Sequence, residues 1–153
     1  MSVKPILKRA SLSDKSVLTP FIQAYHKFEK ISSNINEVEE ALTPLLIDDS
    51  FGCVWLICLE ERPIGYIVLC FSYSLESLGR DALIDEMFIA KEFRGGGLGK
   101  SALNSAVEEA KKFGVKAIYL EVNRNNVRAQ EFYKSLGFRS RDQFFLMDLN
   151  LKP

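Results

Sequence analysis

The chain has 153 residues, with 20 acidic and 20 basic side chains that cancel to a net formal charge of zero. A chain of this length buries about two thirds of its unfolded surface, so we expect a single domain over residues 1–153. A neutral chain has no overall attraction for nucleic acid or anionic lipid. The composition therefore favours a small-molecule ligand, with no nucleic-acid or membrane partner.

The cysteines Cys53, Cys58 and Cys70 are odd in number, lie among strand-like residues and include no C-x-x-C pair. Such cysteines pack as small hydrophobic side chains, so we expect reduced thiols, no metal site and no activated nucleophile. The first residues lack an apolar signal core, and no apolar run approaches the ~18 residues of a membrane span. We therefore expect a cytoplasmic protein.

The predicted elements follow the order β-α-α-β-β-β-α-β-α-β, read from hydrophobic periodicity and from capping and turn residues. In chain order they are a strand at Val3–Arg9, a helix capped by Ser13–Asp14 and ending at Phe28, a helix at Asn36–Leu46, strands at Phe51–Leu59, Ile64–Ser72 and Ala82–Ile89, a helix ending at Phe113, a strand at Lys116–Val122, a helix at Val127–Leu136 capped by Asn125 or Asn126, and a last strand at Gln143–Leu149. This order predicts an α/β (α+β) fold with helices flanking a mixed, mostly antiparallel central sheet.

A glycine-rich run, Arg-Gly-Gly-Gly-Leu-Gly-Lys at residues 94–100, precedes an amphipathic helix pattern. Glycines at a helix N-terminus expose consecutive backbone N–H groups where the positive end of the helix dipole lies. This geometry binds phosphate groups. A nucleotide P-loop is disfavoured because its first glycine would fall on Arg94. A dinucleotide fingerprint fits residues 97–102, but the charged link at residues 91–94 separates it from the preceding strand.

A third interpretation is Arg-x-x-Gly-x-Gly, formed by Arg94, Gly97 and Gly99 after an apolar strand. This pattern resembles the acetyl-CoA loop of the GCN5-related N-acetyltransferases (GNAT). A second block agrees with the family's "N-x-x-A-x-x-F-Y-x-x-x-G-F" helix and consists of Asn126, Ala129, Phe132, Tyr133 and Leu136 to Phe138. The motif layout is most similar to the polyamine and thialysine acetyltransferase branch.

The resemblance implies a GNAT-like fold that uses acetyl-CoA as cosubstrate. In the family, the strand before the loop and the strand after its helix splay apart around the pantetheine arm. The residues implied at the cofactor are the main chain of Met87, Phe88 and Ile89, the loop Arg94, Gly95, Gly96, Gly97, Leu98, Gly99 and Lys100, and Asn126, Ala129 and Tyr133 of the second block.

The resemblance also implies catalytic residues. Tyr133 stands where many members carry a tyrosine that protonates the departing thiolate. The alternative is a core residue, because Tyr133 also lies on an apolar helical stripe. Asp85 aligns with an acidic position near the substrate amine, and Glu86 is the second candidate. Because side chains alternate along a strand, only one of the two is expected to face the reacting centre. A solvated pair at a strand end is the alternative for both.

For the substrate site, the resemblance implies Phe28 and Glu29. They resemble an "(F/Y)-E-K" segment that lines an alkyl-amine pocket in the same branch. An ordinary solvated helix face is equally compatible with these residues. His26, the only histidine, could act as a base by its chemistry. Its place on the predicted helix favours a surface position, so it is given no role.

These patterns together predict an acetyl-CoA-dependent N-acetyltransferase that acts on a primary amine of a small molecule by direct attack in a ternary complex. Two alternatives remain open: a dinucleotide-binding oxidoreductase and a catalytically silent CoA-binding regulatory module. Family members often form dimers, and the apolar residues Phe144, Phe145 and Leu146 of the last predicted strand are compatible with a homodimer.

Overall fold

The computed structural model describes residues 3–153. The strands and helices are β1 (Ile6–Arg9), α1 (Lys15–Glu29), α2 (Ile35–Ile47), β2 (Gly52–Leu59), β3 (Arg62–Ser74), β4 (Gly79–Ile89), α3 (Leu98–Lys112), β5 (Val115–Leu120) and α4 (Val127–Ser135). They fall into two compact units, the first ending at Glu121 and the second spanning Val122–Pro153. The first unit contains the sheet and three helices, and the second contains α4.

The sheet of the first unit has the strand order β1-β2-β3-β4-β5. The first four strands pair antiparallel, and β4 pairs parallel with β5. The crossover through α3 accounts for that change, because parallel neighbours cannot be joined by a tight turn. The β2–β3 hairpin closes at the Leu59↔Arg62 pair, and Glu60 in its turn takes a φ of +54°. The predicted α/β fold with a mixed sheet is thus confirmed.

Helices cover the sheet because β2 is apolar on both of its faces. Every residue from Gly52 to Cys58 is buried. On one face, Leu18 of α1 and Leu42 of α2 pack with Leu56 and Tyr66 in a single buried cluster. Burying a leucine side chain contributes about 2 kcal/mol, so this cluster holds α1 and α2 firmly on the sheet. Helix α3 buries mostly small side chains, namely Ala102, Leu103, Ala106 and Ala110.

The helix starts follow capping residues, with one shift from the prediction. Asp14 of the predicted Ser13–Asp14 cap is the N-cap residue of α1, but its side chain makes no capping hydrogen bond to that helix, and a 3-10 turn at Leu12–Asp14 precedes it. Instead, Ser11 N donates to the Asp14 carboxylate over 2.9 Å. Helix α2 begins with a capping box in which Asn34 and Glu37 each accept the other's backbone N–H.

In the second unit, Asn126 caps α4 by accepting the Ala129 N–H over 3.1 Å. The predicted last strand, Gln143–Leu149, is wrong, because no regular element is found after α4 in the described residues. Its aromatic and apolar residues favour a strand by propensity. A strand also needs a hydrogen-bonded neighbour, however, and this unit contains no other strand.

Candidate active site

The glycine loop forms an open turn at the start of α3. Gly95 and Gly97 have φ angles of +89° and +79°, values that favour residues without Cβ. A Cβ placed on either glycine would meet no atom within 4 Å, so the loop is not filled by packing. No side chain of the described residues caps α3. The unpaired N–H groups at its first turn are therefore available to an anionic ligand.

Arg94 ties this loop to the end of β4. Its Nε donates to the Ile89 carbonyl over 2.7 Å, and its guanidinium lies 5.3 Å from the centre of the Phe88 ring. The side chain thus stabilises the loop entrance instead of extending along the α3 N-terminus. Lys100, in the first turn of α3, is exposed.

Strand β4 separates from β5 before it reaches the loop. Their pairing ends at Ile84↔Leu120. Beyond that pair, no described residue of the first unit pairs with β4 on the side of β5. The Phe88 carbonyl faces β3, since a Cβ on Gly65 would lie 2.0 Å from it. Hydrogen-bonding direction alternates along an antiparallel ladder, so the Met87 backbone faces the open side. The Ile89 backbone is less available to a ligand on that side, because its carbonyl already accepts a hydrogen bond from Arg94.

A β-bulge lies at the same point of β4. Val68 pairs with Glu86, and the next residue of β3, Leu69, pairs with Ile84. Asp85 is therefore an extra residue without a partner in the β3 register. A bulge interrupts the regular alternation of side chains. The expectation that Asp85 and Glu86 point to opposite faces depended on that alternation and does not apply here.

Glu86 accepts two short hydrogen bonds from other elements. The Tyr66 hydroxyl donates to Oε2 over 2.6 Å, and His26 Nε2 lies 2.5 Å from Oε1. His26 Nδ1 in turn lies 2.6 Å from Ser33 Oγ. The predicted surface position of His26 is wrong, because its side chain is only 15% exposed, similar to the 14% of Glu86. Sequence reasoning missed this contact, which joins residues 60 positions apart.

Asp85 differs from Glu86 in being accessible to solvent. Surrounding protein atoms nevertheless desolvate its carboxyl in part. This desolvation, together with the negative charge of Glu86, raises the pKa of Asp85 above its ordinary value of 3.8. A charge on His26 acts in the opposite direction and lowers that pKa. The raised pKa makes Asp85 a stronger proton acceptor than an ordinary aspartate.

Tyr66 remains a hydrogen-bond donor. Burial and the negative charge of Glu86 both raise the pKa of its phenol above the ordinary value of 10. The hydroxyl therefore stays protonated at neutral pH and can donate to Glu86.

The C-terminal half of α1 lies over this part of β4. Phe21 packs against Phe88 with ring centres 6.0 Å apart, and His26 reaches Glu86 one turn and a half later. Phe28 and Glu29 end the helix, and both are exposed, Phe28 by 66%. Their side chains are available to a ligand, and no hydrogen bond fixes them elsewhere among the contacts described for residues 3–153.

The second motif block lies in the second unit, where its aromatic side chains form a small cluster. The Tyr133 ring meets Phe132 and Phe138 edge-on, at centroid distances of 5.1 and 5.7 Å. The Asn126 side chain is engaged in capping α4 through Ala129 N–H. Within this unit the block is thus a structural motif, and its roles at the cofactor stay predictions.

The cysteines are free thiols, as expected. Cys53 has a basic neighbour, since Arg9 Nη1 donates to its sulfur over 2.8 Å. Burial outweighs this contact and raises the pKa of Cys53 to about 11. Burial also raises the pKa of Cys70 to about 11. Both thiols are therefore protonated at neutral pH, which makes them poor nucleophiles.

Two features are absent from residues 3–153. No group of three or more His, Cys, Asp or Glu side chains is placed to hold a metal ion. None of the helices in that range is both long enough and apolar enough to cross a membrane.

Comparisons with known proteins identify the class of protein. The model of the Acetyltransferase (GNAT) family matches residues 20–138. An uncharacterized N-acetyltransferase of Methanocaldococcus jannaschii is 37% identical over 90 residues, covering 58% of this chain and 40% of that protein. The thialysine N-epsilon-acetyltransferase of Bos taurus is 28% identical over 145 residues, covering 86% of this chain and 82% of that protein. A solved integron cassette protein from the Cole Harbour Salt Marsh metagenome has a TM-score of 0.84 at 26% identity, covering 96% of this chain and 91% of that one.

The chain belongs to the GNAT family of acetyltransferases, since the family match covers most of its length. It is an N-acetyltransferase, and acetyl-CoA is its acetyl donor. The thialysine enzymes among its relatives support the predicted branch. Neither the oxidoreductase nor the silent regulatory module is favoured by these matches.

Proposed function

We propose that the protein acetylates a primary amine of a small molecule by direct attack on acetyl-CoA in a ternary complex. One observation carries the proposal. Asp85 is accessible at a bulge where β4 has left β5, and burial and Glu86 raise its pKa. A carboxylate of raised pKa both attracts an alkylammonium group and accepts its proton better than an ordinary aspartate.

The proposed reaction begins with transfer of a proton from the substrate ammonium to Asp85, directly or through a water. The freed lone pair then attacks the thioester carbonyl carbon, a new C–N bond forms, and the C–S bond breaks. Tyr133 gives its phenolic proton to the departing thiolate, and the amide nitrogen releases its second proton to solvent. Tyr133 is assigned this role by its motif position, and Glu86 is assigned a supporting role because two side chains already occupy its oxygens.

The proposed donor site uses backbone groups. The pyrophosphate of acetyl-CoA would accept hydrogen bonds from the N–H groups at the start of α3, over Gly95 to Lys100, with the Lys100 charge nearby. The Met87 backbone would pair with the pantetheine amide. Gly97 supports this assignment because its φ is left-handed and a Cβ at that position would meet no atom within 4 Å. Phe88 and Ile89 would contribute mainly by maintaining the conformation of β4 beside the pantetheine arm.

The proposed acceptor is a small diamine-like molecule. Phe28 and Glu29 are exposed beside the α1 segment that contacts β4, where they would supply an apolar wall and a second anion. The name of the bovine relative, a thialysine N-epsilon-acetyltransferase, supports an ω-amine as the reacting group. Loops outside the donor site determine which amine is preferred.

A thiol-release assay tests this function. Acetyl-CoA is incubated with the protein and with thialysine, lysine, spermine and 1,3-diaminopropane in separate reactions, and free CoA is measured with a thiol reagent. We expect amine-dependent CoA release with at least one amine, and mass spectrometry should show a singly acetylated product. Hydrolysis alone, at a rate independent of every amine, would contradict the proposal.

A homodimer in the cytoplasm completes the proposal. Phe145 and Met147 are 84% and 88% exposed, a large apolar surface that a second copy would cover. Light scattering should give twice the chain mass, and Phe145→Glu should give the monomer mass. Leu78→Glu is the matched control, since Leu78 is 81% exposed in the first unit. A monomer mass for the unmodified protein would refute the dimer.

A further inference from the structure

The single histidine of the chain is placed at the acceptor end by tertiary contacts alone. His26 lies in α1, and its two ring nitrogens bond to Glu86 of β4 and to Ser33 of the α1–α2 loop. Its side chain is 15% exposed. A histidine with both nitrogens engaged has a fixed ring orientation. Its neighbour Glu86 is thereby held from one side, while Tyr66 holds it from the other.

The two bonds occupy both oxygens of Glu86, one each. A carboxylate that is only 14% exposed and loses one partner incurs a desolvation cost or rotates toward water. His26 and Tyr66 together therefore keep the negative charge of Glu86 in one position. That position is next to Asp85, the bulge residue, on the same strand.

The ionisable groups that influence Asp85 come from several elements. Glu86 of β4 and Glu121 after β5 raise the pKa of Asp85, whereas a charge on His26 of α1 lowers it. Asp85 is coupled in turn to Tyr66 and Cys70 of β3, whose pKa values its charge helps to raise. His26 is the one basic side chain in this set, and the other members are acidic.

We propose that His26 is a positioning residue of acetyl transfer: by bonding to Glu86 it fixes a negative charge beside Asp85, which makes Asp85 the carboxylate that receives the amine proton. The inference rests on the proposed function of Asp85.

Two substitutions of His26 test the positioning role through kinetics. Glutamine can still donate a hydrogen bond to Glu86, whereas leucine has a similar size and cannot. With acetyl-CoA and thialysine, or the panel amine with the highest kcat/KM, we expect kcat to fall by about tenfold in His26→Leu and by less than about threefold in His26→Gln. The KM for acetyl-CoA should stay unchanged in both. Equal losses in the two variants would overturn the inference.

The pH profile of kcat/KM separates positioning from a merely structural role. Activity falls at acid pH as Asp85 becomes protonated. In Glu86→Gln a negative neighbour is lost, so the pKa of Asp85 falls and the acid limb should move to lower pH. In His26→Leu the hydrogen bond that holds the Glu86 charge beside Asp85 is lost, so the limb should also move to lower pH, whereas in His26→Gln, which keeps that bond, it should move less. A His26→Leu profile equal to that of the unmodified protein would overturn the inference.

Nuclear magnetic resonance provides a readout that needs no turnover, because one histidine gives one set of imidazole signals. We expect an Nε2–H proton that exchanges slowly with water in the unmodified protein and in Asp85→Asn, and that exchanges rapidly in Glu86→Ala. Ser33→Ala should change the signal of Nδ1 alone, and Ser32→Ala is its control. Absence of turnover with every amine would overturn the proposed function and the positioning role with it. Turnover without the protected proton would overturn the positioning role only.

Discussion

The proposed donor end and the proposed acceptor end of the active site are built in different ways. The donor end is a continuous stretch, Arg94 to Lys100, that presents backbone N–H groups at the start of α3. The acceptor end consists of side chains from α1, β3 and β4, namely His26, Tyr66 and Glu86 beside Asp85. A backbone site depends on local φ angles, whereas a side-chain site depends on how elements pack. Substitutions at the two ends should therefore affect different kinetic constants.

Asp85→Asn should have the largest effect, because it removes the proposed proton acceptor at nearly constant shape. General-base catalysis contributes about 10²–10⁴-fold in rate, so we expect kcat/KM for the amine to fall by roughly that factor. The dissociation constant of acetyl-CoA, measured by calorimetry, should not change. Glu121→Gln is the matched control, since it removes another carboxylate that influences Asp85. A comparable loss in the control would assign the effect to charge alone.

Tyr133→Phe should have the next largest effect. Loss of the phenolic proton leaves the thiolate to take its proton from water, and we expect kcat to fall by about 10²-fold. Phe132 and Phe138 meet the Tyr133 ring edge-on and can pack equally well with phenylalanine, so the variant should fold. Steady-state kinetics measure kcat, and calorimetric melting checks the fold. An unchanged kcat would reduce Tyr133 to a packing residue.

Sequence reasoning was most successful where the signal was local. The glycine run before α3 and the Asn126 cap of α4 are readable because each feature lies within a few residues. The contact of His26 with Glu86 spans 60 positions, and nothing in either neighbourhood encodes it. The bulge at Asp85 depends on the register of β3 with β4, which alternation alone cannot reveal. The predicted strand at Gln143–Leu149 had the composition of a strand but no partner.

Gly97→Ala tests the donor end with a control in the same helix. Gly97 and Gly114 flank α3, with φ angles of +79° and +78°, and a Cβ on either meets no atom within 4 Å. Alanine therefore costs about 1 kcal/mol of backbone strain at both positions. Only Gly97 lies in the proposed pyrophosphate site. We expect the KM for acetyl-CoA to rise by about tenfold in Gly97→Ala and to stay constant in Gly114→Ala. Equal KM values would refute the loop assignment.

Asp14→Asn should have the smallest effect, because Asp14 belongs to neither end. Burial acts to raise the pKa of its carboxyl, but hydrogen bonds from Ser11 and the charge of Lys8 outweigh it, so the pKa lies below the ordinary 3.8. A carboxyl whose pKa is lower in the folded state than in the unfolded state stabilises the fold at pH values above its unfolded pKa. That stability is lost as the pH falls through the folded pKa. We expect the variant to be less stable by about 1 kcal/mol at pH 7. In urea titrations the difference should shrink below about pH 4, where the unfolded carboxyl gains its proton. Both kinetic constants should stay unchanged at pH 7, and a shift in either would mean that the start of α1 is coupled to His26 through the helix.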